Sequence, residues 1–349
     1  MSSQAIKVGI VGYGYAGRVF HAQLIQVTQG LELYAAASRN PERRRQAQQD
    51  YGIVTYETID QLLADPHVDL VIIATPHDTH AKMAIKVMNA GKHCIVDKPM
   101  CITVAEADAM LRARDRNGVL LSVFHNRRWD SDFLTLQHAI DVGLLGEPFL
   151  IQSCVARYGA PRSGWRCDRK CMGSILHDWG VHLVDQALQL TGEFPSAVLC
   201  HTHFRRWQMT VESYAWVELT FESGLLYHIE VSYLSSAPRP RWYAVGDKGG
   251  FIKYGFDPQE TALQQGDIRK AREAPENRAR VWTQWNGTPV EMTLDSVPGK
   301  WTVYYENIAN VLLNDAELAV KPEETRQVIR VIDAALKSAR RGKQTIISS

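Results

Sequence analysis

Apolar residues in this chain come in short blocks, and the spacing inside the blocks changes along the sequence. Ile6-Lys7-Val8-Gly9-Ile10-Val11 is mostly apolar and β-favouring, which predicts a buried strand. Leu31 to Ala37 predicts a second. Leu70-Val71-Ile72-Ile73-Ala74 is a continuous apolar run, the pattern of a strand covered on both faces, and Pro76 stops it. Residues 93–96 and 119–124 predict two more strands. Between them, 41–51 reads as a polar helix and 79–90 as a helix with Gly91 as its C-terminal cap. Thr103-Val104-Ala105-Glu106 is a capping box that opens a helix ending near Gly118. Repeated βα units of this kind predict a parallel, doubly wound sheet.

The pattern changes after about Asn126. A helix over 130–142 leads to Gly146-Glu147-Pro148, and longer strands follow at 149–155, 214–221 and 225–233. Glu222-Ser223-Gly224 reads as a hairpin turn, and 242–245 and 251–254 flank another turn at 246–250. The polar stretch 264–280 reads as a mobile excursion. Helices over 301–314 and 322–341 close the chain, with Pro322 in a first turn and Gly342 at the stop. The expected fold class is therefore α/β. Residues 1–125 form a Rossmann-type dinucleotide-binding domain, and 126–349 an α+β domain with a large, mostly antiparallel sheet that binds substrate and mediates oligomerisation.

Composition adds exclusions. The 349 residues leave room for two domains and a substantial core. With 39 basic and 38 acidic side chains the net charge is +1, so no imbalance points to nucleic acid or an anionic membrane. No apolar run approaches the about 20 residues of a membrane span. Met1-Ser2-Ser3-Gln4 leads straight into the first strand, which leaves no room for a leader peptide. The six cysteines form no C-x-x-C pair, so reduced thiols and a cytoplasmic location are expected.

Candidate chemistry sits at the strand ends. Gly12, Gly14 and Gly17 follow the first strand in G-x-G-x-x-G spacing, with Tyr13, Tyr15 and Ala16 in the same turn. Gly12 allows the turn, Gly14 admits a pyrophosphate, Gly17 lets helix and strand pack closely, and the helix start faces the phosphates. An acidic residue after the second strand would accept from the ribose hydroxyls of NAD. Here stand Ser38, Arg39 and Asn40, with Arg43 one turn on, which favours NADP over NAD. Asp97-Lys98-Pro99 follows a strand and belongs at the carboxyl edge, where ligands bind. Asp178 and His182 are four apart, so on a helix they share a face, and Asp185 is a further candidate partner. This is also a metal-ligand spacing, but no third ligand is evident, so no metal is expected.

Together these motifs resemble the glucose–fructose oxidoreductase/inositol dehydrogenase/MocA family. The resemblance rests on Gly12, Gly14, Gly17, Asp97, Lys98, Pro99, Asp178 and His182, and it extends through Thr75-Pro76-His77-Asp78-Thr79-His80 to the closing helices. It implies an N-terminal Rossmann domain, with Thr75, Pro76, His80 and Asp97 also beside the cofactor, and a C-terminal domain with an open sheet. Phe124 to Phe133 is similar to the branch that contains NADP-dependent scyllo-inositol dehydrogenase, which makes Asn126 and Arg127 candidates near the nicotinamide. The alternative for Arg127 is a structural ion pair. Trp165-Arg166 resembles a W-R pair that shapes the substrate pocket. One departure is Met172-Gly173-Ser174, where the family often has three glycines.

The resemblance implies reversible hydride transfer between a ring carbinol of a cyclitol or sugar and the nicotinamide. His182 is then the general base, Lys98 stabilises the alkoxide, and Asp178 binds or orients. It also implies a homodimer or homotetramer. Two other classes are a nicotinamide-binding redox sensor or co-regulator and an NAD-dependent glycosidase. Relatives of the sensor kind often lack the lysine, whereas this chain has Lys98, Asp178 and His182 together.

Overall fold

The computed structural model describes residues 5–161 and 164–347, so Met1-Ser2-Ser3-Gln4 lie outside the described residues. Among the described residues the strands form two sheets, and the chain divides into two compact units. The first comprises Met1–Asn126, Glu260–Ala271 and Trp301–Arg326. The second comprises Arg127–Gln259, Arg272–Lys300 and Gln327–Ser349. The first unit thus takes 260–271 and 301–326 in addition to the N-terminal segment. Within the first unit, Trp301 meets Phe20 edge-on with ring centroids 6.0 Å apart, and Tyr304 meets Phe124 at 5.0 Å. These apolar rings bring 301–326 back to the N-terminal core.

In the first unit the strands are β1 (Ile6–Val11), β2 (Leu31–Ala37), β3 (Val54–Tyr56), β4 (Leu70–Ile73), β5 (His93–Val96) and β6 (Leu121–Val123). They run parallel in the order β3-β2-β1-β4-β5-β6. This is the doubly wound order in which ligands bind where the strand order reverses, here between β1 and β4. Every residue of β4 is buried, as its unbroken apolar run requires. The Val104–Asn117 helix carries the expected capping box: Thr103 accepts from the Glu106 N–H and Glu106 returns the bond. Gly118 ends it with φ +62°, a backbone conformation in which glycine alone is unstrained. The three-residue strand β3 and the short helix Ile59–Leu63 were not expected from the sequence.

The second unit holds β7 (Pro148–Ala156), β8 (Ala197–His203), β9 (Tyr214–Thr220), β10 (Leu226–Ser232), β11 (Trp242–Gly246), β12 (Gly250–Lys253), β13 (Ala279–Trp285), β14 (Thr288–Leu294) and β15 (Thr345–Ile346). Their order is β14-β13-β12-β11-β7-β10-β9-β8-β15. Only β7 and β10 pair in parallel; the other neighbours are antiparallel. One face is apolar by strict alternation: Ala215, Val217 and Leu219 from β9 and Tyr227, Ile229 and Val231 from β10 are buried. The helical segment that begins at Leu176 packs against β10.

The stretch 264–280 is held rather than loose. Gln23 donates to the Leu263 carbonyl at 2.9 Å, fixing the start of the excursion. Farther on, the ammonium of Lys253, fully buried in β12, donates to Glu273, to the Asn277 carbonyl at 2.7 Å and to Ser296 Oγ at 2.8 Å. Ser296 closes the ring by donating to Glu273 at 2.5 Å. A buried ammonium needs three acceptors, and the excursion supplies them. Lys253→Met should cost about 3–5 kcal/mol, because it strands a largely buried carboxylate. Urea denaturation measures that loss, and amide exchange should rise across 272–296 before the rest of the unit.

Candidate active-site residues

On the first unit, the turn after β1 is shaped by two close approaches. Gly12 has φ +98°, and a Cβ there would lie 2.4 Å from the Ala74 carbonyl oxygen. A Cβ on Gly17 would lie 2.2 Å from the Gly12 carbonyl oxygen. Any side chain at either position would push the turn off the sheet. At Gly14 the nearest atom is only the tip of Arg43, 3.1 Å away. The helix that follows opens with a hydrogen bond from Arg18 N to the Gly14 carbonyl at 2.9 Å, and 16–22 is π-helical rather than α-helical. The amides before that bond have no carbonyl one turn back, which is where a phosphate binds.

Two residues of the predicted cofactor set face inward with their side chains. Tyr13 is buried and its hydroxyl donates to Asp50 at 3.2 Å; burial first, then Asp50, pushes its ionisation well up. Tyr15 donates to Glu260 at 3.2 Å and accepts from Gln264 at 2.6 Å. These two contribute main chain to the turn. Arg39 and Arg43 stand exposed after β2, and neither guanidinium meets a carboxylate among the described residues. Arg44 holds the loop beneath them, donating to the Ser38 carbonyl at 2.6 Å. Glycine turn, helix start and two open guanidinium groups fit a dinucleotide phosphate chain.

The loops after β4 and β5 share one edge. Asp97 N donates to the Ile73 carbonyl and Ala74 N to the Val11 carbonyl, each at 2.8 Å. Lys98 is half-buried, and its N–H donates to Asp97 Oδ1 at 2.8 Å. His80, expected to touch the cofactor, is fully buried with both ring nitrogens against backbone carbonyls. The sequence reading missed His21. Its ring is fully buried, with Nδ1 2.6 Å from the Tyr305 hydroxyl and Nε2 3.9 Å from Asp97 Oδ1. Burial lowers its pKa, against an opposing pull from Asp97. Burial holds Tyr305 protonated, and its hydroxyl shares a hydrogen bond with Nδ1.

On the second unit, Asp178 and His182 lie in one continuous helical run. Residues Leu176–Gly180 are π-helical and Val181–Thr191 α-helical. The wider π turn brings positions four apart closer to eclipse than an α turn does, and π segments recur at functional sites. Both side chains are largely buried. Trp179 lies beside His182, with ring centroids 6.0 Å apart, and Phe256 beside Trp179 at 6.2 Å. Gly173 has φ +83°, and a Cβ there would come 2.9 Å from His177 Nδ1.

The neighbouring charges are scaffold. Asp185 receives both arms of buried Arg128, at 2.9 and 2.7 Å. Arg127 is buried, pairs with Asp130 at 3.1 Å and lies 4.5 Å over the Trp179 ring. That is the structural ion pair the sequence left open, although Arg127 also backs the Trp179–His182 pair. Asn126 is buried in the short 3₁₀ turn Asn126–Trp129. The guanidinium of Arg166 stacks on Trp165 at 4.3 Å. Tyr233, unnoticed in the sequence, is buried with Arg157 5.1 Å over its ring. Burial raises its ionisation, Asp178 raises it further, and Arg157 and Arg166 oppose them. Asp178, Arg157 and Arg166 therefore all act on Tyr233.

A parallel sheet in this order, with this turn and a lysine on the same carboxyl edge, defines a nicotinamide-dependent oxidoreductase. Residues 6–125 match the family described as "Oxidoreductase family, NAD-binding Rossmann fold", and 133–252 match the "GFO/IDH/MocA C-terminal domain". The chain is 36% identical over 350 residues to scyllo-inositol 2-dehydrogenase (NADP(+)) IolW of Bacillus subtilis (strain 168), covering 98% of this chain and 96% of that one. It is 36% identical to the uncharacterized oxidoreductase YdgJ of Escherichia coli (strain K12), covering 97% of each. The solved structure of yvaA from Bacillus subtilis superposes with a TM-score of 0.93 at 32% identity, covering 100% of both chains. The chain belongs to the GFO/IDH/MocA family of oxidoreductases and is an NAD(P)-dependent dehydrogenase.

His21 gives stability a pH dependence of known sign. Its folded pKa is lowered, so the unfolded chain binds a proton near pH 6.5 that the folded chain refuses. Its contribution is full above that pH and falls as pH drops toward the folded value, by at most about 1.4 kcal/mol per pH unit. In His21→Phe that part of the acid slope should vanish. Urea midpoints between about pH 5 and 7 for both proteins test this, and equal slopes would refute it.

Proposed function

We propose that this dehydrogenase moves a hydride between a ring carbinol of a cyclitol, of the scyllo-inositol/inosose type, and NADP. The observation that carries the substrate class is the 36% identity, over nearly the full length of both chains, to an enzyme named scyllo-inositol 2-dehydrogenase (NADP(+)). When bound, the nicotinamide accepts the hydride at C4. His182 takes the hydroxyl proton during oxidation, and its imidazole can do so near neutral pH. The Lys98 amine donates to the same oxygen as negative charge grows on it. Asp178 holds a neighbouring hydroxyl, which orients the ring. Trp165 and Arg166 line the substrate, with Tyr233 and Arg157 behind Asp178. Hydride loss needs deprotonation and positioning only, so the reaction requires no metal.

Lys98→Met and His182→Ala should each lower turnover with scyllo-inositol by at least about 100-fold while NADPH still quenches tryptophan fluorescence. Wild-type turnover in both variants would remove the assignment. A nucleotide that survives purification together with glycoside cleavage would favour the glycosidase class, and binding without turnover on any cyclitol or aldose would favour the sensor.

NADP preference rests on Arg39 and Arg43, which are exposed and meet no carboxylate among the described residues. Each can pair with a 2′-phosphate, which NAD lacks. Arg39→Ala with Arg43→Ala should raise KM for NADP by about tenfold or more, a loss of roughly 1.5–3 kcal/mol, and change KM for NAD little. A parallel rise for both cofactors would argue against this reading.

A further inference from the structure

His80 has two hydrogen-bonding partners, and both can only accept. Nδ1 lies 2.7 Å from the Pro99 carbonyl oxygen and Nε2 2.9 Å from the Thr75 carbonyl oxygen. Both are ordinary N–H···O distances. A neutral imidazole offers one N–H and one lone pair. In that form, one contact would set a nitrogen lone pair against a carbonyl lone pair inside a ring that is fully buried. Only the doubly protonated ring satisfies both carbonyls. The ionisable groups around it are few. His77, from the turn that precedes the helix, lies with its ring centroid 5.7 Å away. His21 comes from the helix after the glycine turn, and beyond it lies Asp97, 3.9 Å from His21 Nε2. Burial keeps His21 neutral, so it does not add a second cation. Two carbonyl dipoles directed at the ring favour a cation here.

We propose that His80 is an imidazolium clasp that joins the loop after β4 to the loop after β5 and thereby positions Lys98. The Thr75 carbonyl belongs to the first loop, and the Pro99 carbonyl follows Lys98 directly. On the other side of Lys98, its N–H is pinned by Asp97 Oδ1 at 2.8 Å. The main chain is thus fixed immediately before and after the lysine Cα, which limits where the amine can point. Both ring nitrogens of His80 are taken up by main-chain carbonyls, so it acts as a positioning residue. Its importance for turnover rests on the reading of Lys98 as the group that acts on the reacting hydroxyl.

Two measurements test the clasp. In protein labelled with ¹⁵N-histidine and loaded with NADPH, the His80 ring at pH 7 should show two protonated nitrogens with slowly exchanging protons. One bare nitrogen would overturn the proposal, and this readout needs no variant. His80→Phe and His80→Gln, which cannot donate to both sides, should lower kcat with scyllo-inositol by about tenfold or more through misplacement of the amine. The Kd for NADPH should change less than about threefold, and amide exchange should rise at 97–101. Unchanged kcat and unchanged exchange in a folded variant would overturn it. If Lys98→Met proves fully active, the role of the lysine falls, while the ring spectrum and the exchange at 97–101 still decide the clasp.

Discussion

The first unit depends on a line of main-chain hydrogen bonds that runs across the carboxyl edge of its sheet. Gly12 N donates to Ala37, Ala74 N to Val11, Asp97 N to Ile73 and Phe124 N to Val96, at 2.8–2.9 Å. Each is the last bond of a parallel pairing, made by the first residue past a strand. Parallel strands end on the same side, so their loops must leave from one edge. The extra bond fixes how each loop leaves. The glycine turn, the Thr75–Pro76 corner and the Asp97-Lys98 pair are therefore set against one another before any side chain acts. A carbonyl as close as Ala74 O is to Gly12 follows from that register, and the glycine follows from the carbonyl.

This edge explains why so much of the first unit could be read in advance. Strands covered on both faces need apolar runs; β4 is unbroken, and β1, β2 and β5 each carry a single polar residue, Lys7, Glu32 and His93. Helix ends need caps, and Thr103, Glu106 and Gly118 are local signals for a local geometry. The motifs were legible for the same reason: G-x-G-x-x-G and D-K-P are constraints within a few residues. β3 was not legible, because three residues of Val-Thr-Tyr are too short for any period to emerge. β13 and β14 were hidden differently. Residues such as Arg280, Trp282 and Gln284 alternate outward with Ala279, Val281 and Thr283 inward, and so polar a stretch reads as loop until its partner strand is known.

Partnerships across long stretches of sequence were beyond such reading. Asp130 occupies the N-cap of the Ser131–Asp141 helix, as a sequence rule would place it, yet its side chain turns to Arg127. The capping bond to Ser131 N comes instead from Asp257 at 2.6 Å, from 126 positions away. Burial raises the pKa of Asp257, and the backbone amides of Ser131 and Gln259 oppose that rise. Lys253 reads as a surface charge at the end of a strand but is the fully buried centre of a knot that fastens the excursion. In each case the spacing was visible and the partner was not.

The same distinction sorts the charged residues of the 176–191 helix. Asp178, His182 and Asp185 share a face, and by spacing alone either acid could orient the imidazole. Arg128 decides the matter. Its buried guanidinium must be matched by a carboxylate, and the two-point contact with Asp185 matches it. Asp185 thereby anchors the helix to the segment carrying Arg127. Asp178 instead acts on buried Tyr233, whose ionisation it helps to raise. Two acids lie one turn to either side of the same histidine, and Arg128 reaches Asp185. Which carboxylate a buried arginine meets is a fact of packing that no count of residues contains.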